Sequence, residues 1–125
     1  MKTTTLQLES CTTKQKISTF QIEMVSVLGE LCEQGEITFK YAVLQLSNKY
    51  GMNKKSAQYY MQAYQCMRRG VSFTYTINAE ATRYFLNQIL LLHDKNGAVL
   101  ALRSLELHLR KKPSKKIECI VLEHS

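Results

Sequence analysis

Tryptophan is absent, proline occurs once and the five glycines are scattered through the 125 residues. So few breakers leave room for long, uninterrupted elements, and helix formers dominate from Phe20 onward. The four cysteines (Cys11, Cys32, Cys66, Cys119) include no C-x-x-C pair. A disulfide framework is therefore not expected in a chain with this much apolar material. His93, His108 and His124 stand at no metal-ligand spacing from the cysteines, so no metal site is expected. The opening MKTTTLQLESC has no apolar h-region, and the longest apolar run is only Ala98–Leu102. The expectation is neither a secretory leader nor a membrane span, and a cytoplasmic protein. Neither G-x-S-x-G, H-E-x-x-H nor a glycine-rich phosphate loop occurs. Neither catalysis nor a cofactor is expected.

What is present is apolar mass and positive charge. Apolar residues make up 45% of the chain, enough for one core, and the net charge is +7. An excess of that sign favours a polyanionic partner. The charge is also segregated. Glu23, Glu30, Glu33 and Glu36 occur between Ile17 and Phe39 without a single Lys or Arg. Lys40, Lys49, Lys54, Lys55, Arg68 and Arg69 follow without a single Asp or Glu before Gly70. A second basic block runs from Arg103 to Lys116, where Glu106 is the only acid. Interspersed charge would merely confer solubility, whereas blocks imply one acidic and two basic surfaces.

Periodicity divides the chain into elements. Residues 1–18 read as an arm or short strand, with Leu6 and Leu8 alternating. Thr19–Gln34 reads as a helix, capped by Ser18 or Thr19, with a Phe20, Met24, Val27 (with Leu28), Leu31 stripe, and stopped by Gly35. Thr38 caps a second helix, Phe39–Tyr50, with Phe39, Val43, Leu46 and Tyr50 inward. Asn53 caps a third, Lys54–Arg69, which buries Ala57, Tyr60, Met61, Tyr64 and Met67 and stops at Gly70. Val71–Ile77 alternates and is rich in β-formers, which predicts a strand. Asn78 caps a fourth helix, Ala79–Asp94, and Lys95-Asn96-Gly97 reads as a turn. Ala98–Lys112 fits a helix through Leu102, Leu105 and Leu109, or a strand through Leu105, Leu107 and Leu109; composition favours the helix. Ile117–Glu123 reads as a strand, and on the strand alternative Leu105–Glu123 becomes a hairpin with KKPSKK at its tip.

The informative segment is LSNKYGMNKKSA, from Leu46 to Ala57. A helix-turn-helix needs a positive-φ residue in a short turn, and apolar residues beside it to wedge the helices apart. Gly51 supplies the first; Tyr50 and Met52 supply the second. Thr38–Ile77 thus resembles the helix-turn-helix core of winged-helix transcription regulators, with Ala57 and Ser47 departing from the usual residues. No wing hairpin directly follows Val71–Ile77; the distant KKPSKK loop is the better wing candidate. The resemblance implies a mainly α fold with a small β component. Residues 19–77 would form a helix-turn-helix, winged-helix-like core, and 78–125 a C-terminal helical or β extension, within one compact domain. It also implies a double-stranded DNA partner, with RNA left open, and a role in transcription regulation. Position then makes Asn53, Lys54, Lys55, Ser56, Gln58, Tyr59 and Gln62 candidate contacts in the major groove.

Arg110, Lys111, Lys112, Lys115 and Lys116 surround Pro113 and suit contacts to phosphates, with a solubilising turn as the alternative. Leu91, Leu100 and Leu107 fall outside a single stripe. They either cover the core or form a homodimer interface between C-terminal helices. The rival function is a helical interaction protein or ribonucleoprotein subunit that uses the acidic first helix as its partner face.

Overall fold

The computed structural model describes residues 16–124; the Leu6/Leu8 arm lies outside them. Five helices run in order: α1 (Thr19–Glu33), α2 (Phe39–Asn48), α3 (Lys54–Arg69), α4 (Ala79–Lys111) and α5 (Lys115–Glu123). The described residues contain no strand, which overturns the expected β component and the winged-helix-like core.

Local signals explain four of the starts. Ser18 accepts from Gln21 N while Gln21 Oε1 accepts from Ser18 N, a reciprocal capping box. Thr38, Asn53 and Asn78 cap α2, α3 and α4 in the same sense. Gly51, at φ 72°, makes the turn between α2 and α3, and Met52 N returns to Leu46 O at 3.0 Å.

The two expected strands fail for different reasons. Val71–Ile77 is an irregular link with a bend at Thr74–Tyr75, and among the described residues no strand lies beside it. Its carbonyls are satisfied from α4 instead. Ser104 Oγ donates to Val71 O at 2.6 Å, and His108 Nδ1 to Phe73 O at 2.8 Å. The alternation reflects burial of Phe73 and Ile77 in the core rather than a pleated ladder. Ile117–Glu123 lies within α5. Ser114 caps it at Ile117 N, and Ile117, Ile120 and Val121 recur at helical spacing on the buried side. The hairpin alternative falls with it, because Ala98–Lys111 is helical and KKPSKK is a turn between helices.

Lys95-Asn96-Gly97 is not a turn either. It lies inside α4, and the direction changes at Asp94 alone (φ 58°, ψ −158°). In a straight helix, Ile89 and Gly97 would lie about 12 Å apart. Here a Cβ on Gly97 would stand 3.1 Å from Ile89 Cγ2. The limb 95–111 therefore folds back along the limb 79–93. Farther along, it meets the 71–77 link through Ser104 and His108, so α4 is a helical hairpin.

The buried faces correct two stripes. On α1 the core side is Ile22, Val25, Leu28 and Gly29, while Phe20 and Val27 stand at 57% and 47% exposure. On α2 it is Ala42, Val43 and Leu46, and Phe39 is exposed. Both helices are short and apolar on several sides, so the faces offered by α3 and α4 decide which stripe goes inward. α3 buries Ala57, Met61, Tyr64 and Met67 as its pattern predicts, with Tyr60 partly covered. Burial pushes the Cys32 and Cys66 thiols up, so both behave as small apolar groups between α1 and α3.

Helix directions follow from the pairings. Gln21 Nε2 donates to Tyr50 O at 2.8 Å and Thr19 Oγ1 to Glu80 Oε2 at 3.0 Å, so the starts of α1, α3 and α4 lie together. Ser114 and Ile117, at the start of α5, border the same groove as Ile77–Glu80. Arg68 and His93 meet Glu30 toward the far ends of α3, the first limb of α4 and α1. Four helix N-termini thus share one end of the molecule.

Candidate nucleic-acid interface

That end is where the expected contacts gather. Asn53 Oδ1 accepts from Lys55 N at 2.9 Å and Ser56 N at 3.2 Å, so this oxygen serves the cap. Lys54, Lys55 and Gln58 are exposed on the first turns of α3. Ser56 is half-buried and lines a groove of about 820 Å³ with Lys16, Gln21, Tyr59 and Asn78.

Tyr59 and Gln62 are not open to solvent in the way position alone implied. The Tyr59 ring lies against Tyr75, with centroids 4.0 Å apart and planes at 33°. Thr74 N donates to Gln62 Oε1 at 3.4 Å. The 71–77 link therefore covers one flank of α3. Desolvation, and then the adjacent Tyr75 hydroxyl, push the Tyr59 phenol up, so it remains a neutral donor.

The same link reaches the second basic block. Lys112 Nζ stands 4.8 Å from the Tyr75 ring centroid, a cation–π distance, and Lys111 Nζ donates to Ser72 Oγ at 3.0 Å. Lys112 packs on Tyr75 and Tyr75 on Tyr59, which joins two basic blocks far apart in sequence. Lys115 and Lys116 are exposed on the first turn of α5. Lys116 and Lys16 border a second groove of about 330 Å³, which shares Lys16 and Asn78 with the first. Arg110 is exposed in the last turn of α4. Among the described residues none of Lys54, Lys55, Lys115 or Lys116 has an ion-pair partner.

The helix termini add to this field. Each N-terminus carries roughly half a positive charge in its partial dipole. Glu80 and Glu118, in the first turns of α4 and α5, offset part of it. The lysines outnumber them at this end.

Part of the expected basic surface lies elsewhere. Arg68 Nε meets Glu30 Oε2 at 2.5 Å, and Arg69 Nη2 meets Glu33 Oε2 at 3.0 Å. Gln65 Nε2 also donates to Glu33, at 2.9 Å. These pairs cross from α3 to α1, so two carboxylates of the acidic helix face inward. Among the described residues, Glu23 and Glu36 of that set have no such pairing, and the outward negative charge of α1 is correspondingly reduced.

Two participants escaped the sequence reading. Tyr75 was hidden inside an apparent strand, where alternation groups it with Phe73 and Ile77, yet it faces outward. Lys16 was assigned to an arm, and only the folded chain sets it between the two grooves. The histidines are otherwise engaged. His93 pairs with Glu30, His108 with Phe73 O and Thr76, and His124 with Ile120 O and Asn87. No helix of the described residues is long and apolar enough to cross a membrane. No protein-family model matches the chain, and no curated protein and no solved structure matches it either.

Proposed function

We propose that the protein binds double-stranded DNA, with the first turns of α3 in the major groove and the Lys111–Lys116 turn on the neighbouring phosphates. The observation that carries this is the Tyr59–Tyr75–Lys112 stack, which sets the two basic blocks side by side. Lys54, Lys55 and Gln58 offer groups for base edges and phosphates; Lys112, Lys115 and Lys116 offer charge for the backbone alone. With Asn53 capping and Gln62 tied to the link, the base-reading set narrows to Lys54, Lys55 and Gln58, with Tyr59 at its edge. Sequence-selective binding of this kind would suit a transcription regulator.

The test is fluorescence anisotropy with random duplex DNA over a range of salt concentrations. Affinity should fall steeply with salt, with a log–log slope of about −0.9 for each phosphate neutralised. Changing Lys111, Lys112, Lys115 and Lys116 together to Gln should weaken binding to all sequences and flatten the slope. Absence of binding at low salt overturns the reading. Single-stranded DNA and duplex RNA as competitors establish which form is preferred.

A further inference from the structure

The α4 hairpin turns at Asp94, and its tip carries an apolar surface that the described residues leave partly open. Leu91 is 74% exposed and Val99 63%, and Leu90, Leu92 and Leu100 are open beside them. All five lie within six residues of Asp94, so they sit within about 9 Å of the reversal along either limb. Large aliphatic side chains gathered in this way mark an interaction surface rather than scattered surface residues.

We infer that this tip is the contact face of a homodimer. Charge argues for a second copy of the chain. A molecule of net charge +7 repels its own kind across most of its surface. The exposed lysines of α3, α5 and the α4–α5 turn are at the opposite end of the hairpin. The tip itself carries one carboxylate, Asp94, and one ammonium, Lys95, both exposed and neither with an ion-pair partner among the described residues. In a two-fold arrangement each copy's Asp94 can meet the other's Lys95, so the patch is complementary to itself. The five side chains leave roughly 450 Å² open per copy, short of the ~800 Å² that each partner contributes to a standard interface, so the polar surround must supply the rest. The neighbouring polar residues Lys95 and Asn96 would form the rim.

This inference does not depend on nucleic-acid binding, and its test keeps the two apart. Nuclease-treated protein is measured by sedimentation equilibrium in high salt, where no polyanion can bridge two chains. The expected mass is that of two chains at micromolar concentration. The Leu91→Glu, Val99→Glu double variant should sediment as one chain with an unchanged far-UV spectrum, because both positions are exposed. Tyr41→Glu, on the exposed side of α2, should leave the dimer intact. A single-chain mass for the unaltered protein, or a dimer that survives the double substitution, overturns the inference.

Discussion

The Tyr64 hydroxyl donates to Glu30 Oε2 at 2.6 Å, and the same carboxylate receives Arg68 Nε and His93 Nε2. One carboxylate of α1, 8% exposed, therefore binds both α3 and the end of the first limb of α4. The Tyr64 ring meanwhile stands edge-on to Phe85, at 5.1 Å and 88°. Glu30→Ala should cost about 3 kcal/mol or more, since it strands a largely buried guanidinium and a buried hydroxyl. Tyr64→Phe keeps the ring and should cost about 1–2 kcal/mol. Urea unfolding of the two variants gives both numbers.

Acid should weaken the fold through the same group. Burial alone would raise the Glu30 carboxyl, but hydrogen bonds from Arg68, Tyr64 and His93, with the Arg68 charge, hold it below its ordinary 4.5. A folded pKa below the unfolded one adds stability above the unfolded value, and this is lost as pH falls through the folded pKa. Stability should thus decline as pH drops below about 4.5. Glu30→Gln should be less stable at neutral pH and show a shallower decline. Chemical denaturation across the acid range measures both.

Gly29 lies where the Tyr64 ring crosses α1, and a Cβ there would overlap that ring. Alanine is the better helix former by about 1 kcal/mol. The clash should outweigh this preference, because the ring is fixed by Glu30 on one side and Phe85 on another. Gly29→Ala should therefore lower stability by about 2 kcal/mol, and a Tm no lower than that of the unaltered protein would refute this.

Asp94 holds a positive φ with a ψ near −158°, a region that glycine alone enters freely. Asp94→Gly should relieve strain of about 1–3 kcal/mol at an entropic cost of about 0.5–1 kcal/mol. The net expectation is a gain of roughly 1 kcal/mol, read from the urea midpoint.

Lys54→Gln and Lys55→Gln should each weaken duplex binding and reduce the salt slope by about 1. Tyr75→Ala should also weaken it, although Tyr75 need not touch DNA, because Lys112 loses the ring it packs on. Anisotropy titrations at two salt concentrations measure both the affinity and the slope for each variant.

Much of the helical layout was legible because its signals are local. Ser18, Thr38, Asn53 and Asn78 mark starts, and Gly51 and Gly70 mark a turn and a stop at positive φ. The inward face of α3 was legible too, through the regular spacing of Ala57, Met61, Tyr64 and Met67. The strands were misread because β-branched and aromatic residues at Val71–Ile77 and Ile117–Glu123 signal burial as strongly as they signal a sheet. A strand needs a partner, and whether one is present is not a local property.

The sequence by itself determined four capped helix starts, the stop after α3, and an acidic helix followed by two basic blocks. Only the tertiary structure decided how that charge is distributed. It turned Glu30 and Glu33 onto Arg68 and Arg69, and it joined Lys112 to Tyr59 through Tyr75. The physical reason is range. Caps and turns act within a few residues through hydrogen bonds, whereas ion pairs and ring contacts between distant segments exist only after the core has set the helices side by side.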